Sequence, residues 1–194
     1  MVRSAKLLGG APRRDLSRST GLLQSPFMVG IRTEAEMLAR CLEIGALSVS
    51  DAVAWADGVI ERDEHPDPSI CEIAMSGRKY EPDVVAALRE VPGTFDEAEV
   101  RRKVLCLLSD GLQRDRRRAD RVAQSLYQLA LAGEIDGEPL CQIAWWASDG
   151  LDLADAGVIQ HTREQVVDEL VAALQNAAAV QDSDRRCPSS DHDK

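Results

Sequence analysis

The sequence contains few aromatic side chains, which make up 4% of its residues as two Phe, two Tyr and three Trp. Its hydrophobic residues, 44% of the chain, are therefore mainly aliphatic. Small aliphatic side chains let helices approach one another closely, so a core built from Ala, Leu, Val and Ile favours helix packing. The composition predicts an all-α protein.

Long apolar runs and paired cysteines are also missing. No stretch of about 18 apolar residues occurs, so we expect no membrane-spanning helix. The five cysteines are scattered without a Cys-x-x-Cys pair, which argues against a zinc site. Their odd number, with no secretory signal, predicts reduced thiols in a cytoplasmic protein. The cysteines are Cys41, Cys71, Cys106, Cys141 and Cys187.

Catalytic and cofactor motifs are absent from the sequence as well. It has no Gly-x-Ser-x-Gly, Walker or dinucleotide-binding pattern. It also lacks the Glu-x-x-His repeats of a di-iron bundle. We therefore assign no catalytic residue, no metal ligand and no cofactor, and the leading interpretation is a non-enzymatic protein.

Positive charge is scarce and unevenly placed. Residues 1–30 hold five basic and one acidic side chain, a net charge of +4. Residues 31–180 hold 15 basic and 28 acidic side chains (−13), and residues 181–194 hold three basic and four acidic ones (−1), which gives −10 in total. An acidic body repels phosphates, which argues against nucleic acid as the main ligand and suits a basic protein partner. The alternative is that the charge only keeps the protein in solution.

The pattern of Gly, Pro and Ser divides the chain into three parts. Residues 1–30 are interpreted as a disordered basic leader that superficially resembles a transit peptide; in another interpretation, Met28 is the true start. Residues 31–180 form a single helical domain, and residues 181–194 form a disordered polar tail. Short connections favour antiparallel helical hairpins.

About eight helices are expected within the domain. Capping-box patterns at Thr33 with Glu36 and at Thr162 with Gln165 mark the first and last starts. Ser109-Asp110-Gly111 ends or kinks the fifth helix, and Asp149–Gln160 is expected to be a loop with one short turn. The predicted helices cover about 33–44, 48–60, 69–75, 82–91, 94–109, 114–132, 139–148 and 162–174.

Trp55 and Trp146 lie at similar places in two similar segments. The helix that follows Gly45 has a predicted core stripe formed by Val49, Val53, Ala56 and Ile60. Trp55 falls about 120° away from this stripe. Aligning Gly45 with Gly133, with three extra residues allowed in the second loop, brings Trp55 onto Trp146, which indicates either a repeated helical hairpin or a coincidence.

Three groups of side chains are candidates for function. The carboxylates Asp57, Glu61 and Glu64 share one helix face, followed by His65 and Asp67; they suit a cation or a basic partner, or form a solvated helix end. The segment Arg114–Arg121 suits nucleic acid, or exposed pairs with interleaved acids.

Trp145 and Trp146 are the third candidate. Adjacent residues on a helix point about 100° apart, so we expect one indole to be buried and the other to form an exposed anchor.

These observations favour an acidic helical module that binds another protein, such as an inhibitor or immunity-type protein against a basic partner. Its candidate contact residues are Trp55, Asp57, Glu61, Glu64, Trp145 and Trp146. The alternatives are a metal-dependent enzyme using the Asp57–Asp67 carboxylates and a nucleic-acid-associated regulator using Arg114–Arg121. The sequence leaves the partner's identity and the oligomeric state open.

Overall fold

The computed structural model describes residues 26–135 and 137–185, which form eight α-helices and one 3-10 turn. The predicted all-α fold of about eight helices is confirmed, and no strand occurs in the described residues. No described helix is both long enough and apolar enough to cross a bilayer. The helices are α1 Pro26–Glu43, α2 Val49–Ile60, α3 Pro68–Ala74, α4 Glu81–Arg89, α5 Glu97–Arg114, α6 Ala119–Leu131, α7 Glu138–Asp155 and α8 Arg163–Arg185, with the 3-10 turn at Arg116–Arg118.

Two hydrophobic cores divide the helices into two halves. Side chains of α1–α4 build one core, around Leu42, Ile73 and Leu88. Side chains of α5–α8 build the other, around Leu126 and Leu170. Within each half the first helix packs on the fourth, the second on the third, and the third on the fourth. The chain therefore repeats one four-helix arrangement.

The sequence contains this repeat in a register that the Gly45–Gly133 alignment missed. Ile70-Cys71-Glu72-Ile73-Ala74 of α3 matches Leu140-Cys141-Gln142-Ile143-Ala144 of α7. Val84, Val85 and Leu88 of α4 match Val166, Val167 and Leu170 of α8 in spacing, and all six are buried. The predicted alignment paired α1–α2 with α6–α7 and is wrong by one helix, because glycine turns end several helices and do not define the repeat.

Left-handed glycines end α1, α6 and α7. At Gly45 φ is +69°, and the amides of Gly45 and Ala46 bond the carbonyls of Leu42 (2.8 Å) and Cys41 (2.8 Å). These two bonds form the Schellman motif, in which glycine accepts a conformation that strains other residues. The same pattern recurs at Gly133 (φ +70°) and Gly157 (φ +66°).

Helix α1 joins the two halves by packing against both α4 and α5. Arg40 of α1 forms a bidentate ion pair with Glu97 of α5, with both N–O distances 2.7 Å. Its Nη1 also lies 3.2 Å from Oε2 of Glu134, in the connection between α6 and α7. Bidentate charged hydrogen bonds fix orientation as well as distance, so Arg40 sets how the halves meet.

Packing extends four helices beyond their predicted ends. Helix α1 begins at Pro26, so Thr33 lies buried inside it and is not a cap. Helix α5 continues through Gly111 to Arg114 because Leu108 and Leu112 are both buried on its inner face. That burial outweighs the cost of about 1 kcal/mol of a helical glycine.

Helix α7 continues through Gly150 to Asp155, where a loop was predicted, because Leu151 is fully buried. Helix α8 runs to Arg185, past the predicted end at Leu174. The Thr162–Gln165 capping box is confirmed by reciprocal bonds of 2.8 and 3.3 Å. The expectations for residues 1–25 and 186–194 lie outside the described residues.

The predicted core stripe of α2 is correct at Ala56 and wrong elsewhere. Ala52, Ala56 and Val59 are its buried positions, whereas Val49 and Val53 are only half-buried. The helix is rotated toward the side that carries its smallest residues, because Ala allows closer packing on α3 than Val does. This rotation brings Trp55 to the edge of the core.

Candidate functional site

Two adjacent tryptophans are exposed on the hairpin of α6 and α7. Trp145 is 51% exposed and Trp146 is 36% exposed. The expectation that one of them is buried is wrong, because Leu140, Ala144 and Leu151 fill the inner face of α7. Leu131 and Leu153 are exposed on the same hairpin.

Both indoles pack against neighbouring residues of the hairpin. The Trp145 ring meets the Tyr127 ring of α6 edge-on, with centroids 5.3 Å apart and an interplanar angle of 88°. The Trp146 ring lies over Gly150, where a Cβ would come within 2.2 Å of Cζ3. Only glycine therefore leaves room for the ring at this position. We call Tyr127, Leu131, Trp145, Trp146 and Leu153 the tryptophan face.

Two carboxylates accompany this face. Asp149 follows Trp146 by three residues and Trp145 by four, so it lies on the same side of α7. Asp152 follows Asp149 by one turn, and both side chains are exposed. Neither carboxylate forms an ion pair with another described residue, whereas the nearby Asp155 pairs with Arg163 at 2.5 Å. The face therefore combines fixed aromatic rings with available negative charge.

Sequence reasoning missed Tyr127, Gly150 and both aspartates. The predicted helix ended at Ser148, so Asp149 was placed in a loop. Its spacing of three and four residues from the tryptophans therefore could not be recognised as a shared helix face. The apolar pair Leu151 and Ala154 was the signal for a longer helix.

Trp55 lies elsewhere, in a cleft between the two halves. Its Nε1 donates a 3.0 Å hydrogen bond to Oε2 of Glu34, and its ring is half-buried. The cleft has a volume of about 720 Å³ and is lined from α1, α2, α5 and α6. We call it the inter-half cleft. The structure thus separates Trp55 from Trp145 and Trp146, and no shared surface of the three is formed.

Cys41 and Cys106 show how different the surroundings of the thiols are. Cys41 is fully buried, and removal from water raises the pKa of its thiol to about 12. Cys106 is partly exposed and lines the inter-half cleft. The rate at which the Cys106 thiol is alkylated can therefore show whether this cleft is occupied.

The acidic segment Asp57–Asp67 is spread over a helix end and a connection. Asp57 and Glu61 are exposed on the last turn of α2 and at its C-cap, and Glu64 is exposed beyond it. Asp67 instead caps α3, accepting the amide of Ser69 at 2.9 Å. Among the described residues, no three His, Cys, Asp or Glu side chains gather as metal ligands. The metal-enzyme alternative gains no support from this geometry.

The arginine segment Arg114–Arg121 is partly engaged with acids of the protein itself. Arg116 pairs with Asp168 of α8 at 2.7 Å, and Arg118 lies 3.8 Å from Asp115. The segment also bends at the 3-10 turn, so it does not form the continuous basic helix that the sequence predicted. These pairs leave less charge for a nucleic acid.

No protein-family model matches this chain, and no similar protein is found among curated proteins or solved structures.

Proposed function

We propose that this chain is a non-catalytic acidic helical protein that binds a basic protein partner through the tryptophan face. An inhibitor or immunity-type protein against a basic partner is the kind of molecule that this description fits. The observation that supports it most is the pair Trp145 and Trp146, both on the surface of an aromatic-poor chain beside two available carboxylates.

The geometry of the face suits recognition of a cationic surface. Tryptophan and tyrosine supply much contact area with few rotatable bonds, and they dominate binding hot spots. Rings already held by Tyr127 and Gly150 lose little conformational freedom on binding. A partner's Arg side chain can stack on an indole while its charge faces Asp149 or Asp152.

Asp57, Glu61 and Glu64 remain candidates as a second acidic contact. They lie at and after the end of α2, which packs on α3, whereas α7 packs on α6 and α8. Their role in the proposal is to speed encounter with a basic partner, because exposed charges act mainly on association rates. Glu61→Lys should slow association, and Glu90→Lys is its matched control, since both residues are exposed helix C-caps.

The proposal is tested by affinity capture from the source cells. Immobilised wild-type protein should retain a basic protein at low salt and release it as salt rises. The double variant Trp145→Ala/Trp146→Ala should retain at most about a tenth as much, because aromatic hot spots contribute about 2 kcal/mol or more. Tyr80→Ala removes a 75% exposed aromatic residue elsewhere and should change nothing.

Two outcomes of the capture would reject the proposal. One is that no basic protein is retained by the wild type under any ionic strength. The other is equal retention by the wild type and the double variant, with circular dichroism showing that both are folded.

A further inference from the structure

The inter-half cleft is cationic although the protein is acidic overall. Five basic and three acidic side chains line it, in a chain whose formal net charge is −10. The basic residues are Arg62, Lys103, Arg114, Arg118 and Arg121. The acidic residues are Glu34, Asp51 and Asp110.

The three carboxylates are already engaged within the cleft wall. Glu34 accepts the Trp55 indole N–H, and its Oε1 lies 3.9 Å from Nζ of Lys103. Asp51 accepts the amide and the hydroxyl of Ser48 at 2.8 and 2.6 Å, and the charges of Arg118 and Arg121 also stabilise its carboxylate. Asp110 faces Arg114 at 4.0 Å. The acids therefore do not neutralise every cation of the cleft.

Arg62 and Arg121 are only partly engaged, and they lie at opposite ends of the cleft, beside the C-terminal and the N-terminal end of α2. Each is anchored by its Nε alone: Arg62 donates to the carbonyl of Gly58 at 2.8 Å, and Arg121 to that of Gly45 at 2.5 Å. Neither forms an ion pair within the described part of the chain. A guanidinium has five N–H donors, so its terminal nitrogens are left to bind an anion.

Apolar side chains also line the cleft. Met37 of α1, Leu47, Trp55 and Leu107 of α5 line it. The Trp55 ring is oriented by its bond to Glu34, so one aromatic face is fixed. A volume of about 720 Å³ lies within the range of about 300–1,000 Å³ that small-molecule sites occupy.

From this arrangement we infer that the inter-half cleft binds a small organic anion. Its flat apolar body lies against Trp55 and Leu107, and its carboxylate, sulfonate or phosphate group is held by Arg121, at the end of the cleft that Arg114 and Arg118 also line. The site is separate from the tryptophan face, so this inference stands or falls independently of the proposed partner.

A pair of dyes that differ by one acidic group tests the inference. The anion 8-anilinonaphthalene-1-sulfonate should bind at one site, seen as a rise in its fluorescence. N-phenyl-1-naphthylamine, the same ring system without the sulfonate, should bind at least about tenfold more weakly, the loss expected for one charged hydrogen bond.

Variants and a thiol reaction locate the dye. Arg121→Gln should weaken binding of the anionic dye about tenfold, whereas Arg62→Gln, at the other end of the cleft, and Arg78→Gln, an exposed arginine outside it, should not. Bound dye should slow alkylation of Cys106 but leave that of Cys71, which lies on α3, unchanged.

Thermal melts followed by circular dichroism identify any arginine variant that fails to fold. If a variant does not fold, alkylation of Cys106 in the wild type, with and without dye, tests the inference in its place. Equal binding of the two dyes, or unchanged Cys106 alkylation with dye bound, would overturn the inference. Loss of dye binding in Trp145→Ala/Trp146→Ala would place the dye on the tryptophan face and would overturn it equally.

Discussion

At the scale of single residues, Gly150 determines how α7 presents Trp146. A glycine inside a helix costs about 1 kcal/mol relative to alanine, so its presence in α7 requires a reason. That reason is the indole lying across it, since a methyl group there would come within 2.2 Å of the ring. The helix thereby gives up some stability and gains a fixed aromatic surface.

Gly150→Ala should displace the Trp146 ring. We expect a loss of about 1 kcal/mol in the free energy of unfolding, because the overpacked ring outweighs the gain in helix propensity. Tryptophan fluorescence should shift to the red as the indole becomes more exposed. Urea titration measures the first effect and an emission spectrum the second.

Gly58→Ala is the matched control for this change. Gly58 lies in α2, and a Cβ there meets no atom within 4 Å, so alanine should stabilise the protein by up to about 1 kcal/mol. If the two variants behave alike, Gly150 does not shape the tryptophan face.

At the scale of helices, the repeat explains which elements carry the cores. In α4 and α8 the pattern Val-Val-x-x-Leu places three side chains on one face, and each half buries that face against its own first helix. Helix α7 differs from its counterpart α3 by having 18 residues in place of seven. The added turns carry Gly150, Asp149 and Asp152, so the tryptophan face arises where the two halves diverge.

The repeat predicts equal roles for Leu88 and Leu170. Both side chains are fully buried, so Leu88→Ala and Leu170→Ala should each lower the free energy of unfolding by about 2–5 kcal/mol. Chemical denaturation of the two variants checks this. A cost below about 1 kcal/mol for either one would mean that its half lacks the packed core described here.

Helix existence followed from the sequence, whereas helix ends and faces did not. Capping residues and apolar periodicity predicted the position of every α-helix; the capping box of Thr162, for example, marks the start of α8. Packing then carried α5 past Gly111 and α7 past Gly150, because burial of Leu112 and Leu151 outweighs the local cost of glycine. The buried face of α2 was predicted correctly only at Ala56, because closeness of approach, rather than hydrophobicity, favoured Ala52 over Val49 and Val53.

At the scale of the whole molecule, Arg40 couples the two halves. Its side chain is 11% exposed and binds Glu97 and Glu134, which belong to the second half. The bond to Arg40 lowers the pKa of the Glu97 carboxyl below its usual value, against the opposing effect of partial burial. The joint between the halves is therefore sensitive to acid.

Acid should remove the contribution of this joint. Because the pKa of Glu97 is lower in the folded than in the unfolded protein, its stabilisation is present above about pH 4.5 and is lost as the pH falls through the folded value. Glu97→Gln should therefore reduce the free energy of unfolding at neutral pH, and this difference should shrink in acid.

Urea titrations across this pH range measure the difference, with Glu90→Gln as the control, since Glu90 is exposed and forms no ion pair within the described chain. A constant difference between wild type and Glu97→Gln at all pH values would show that the charge of Glu97 does not contribute to stability, which would contradict the role of its pair with Arg40.

The candidate sites were less accessible from the sequence than the fold. The adjacent tryptophans pointed to α7, but their aspartates needed the true length of that helix. No local sequence pattern predicted the inter-half cleft, because its contacts join distant parts of the chain. Arg121, for example, donates to the carbonyl of Gly45, 76 residues away. Only the docking of the halves brings such groups together.

The affinity of the captured partner for this protein shows directly whether the tryptophan face carries the binding. Titration calorimetry at low and at physiological salt should give at least about tenfold weaker binding for Trp146→Ala than for wild type, with Tyr80→Ala unchanged. Binding by wild type should also weaken as salt rises. Equal affinities of wild type and Trp146→Ala, or an affinity independent of salt, would contradict the account.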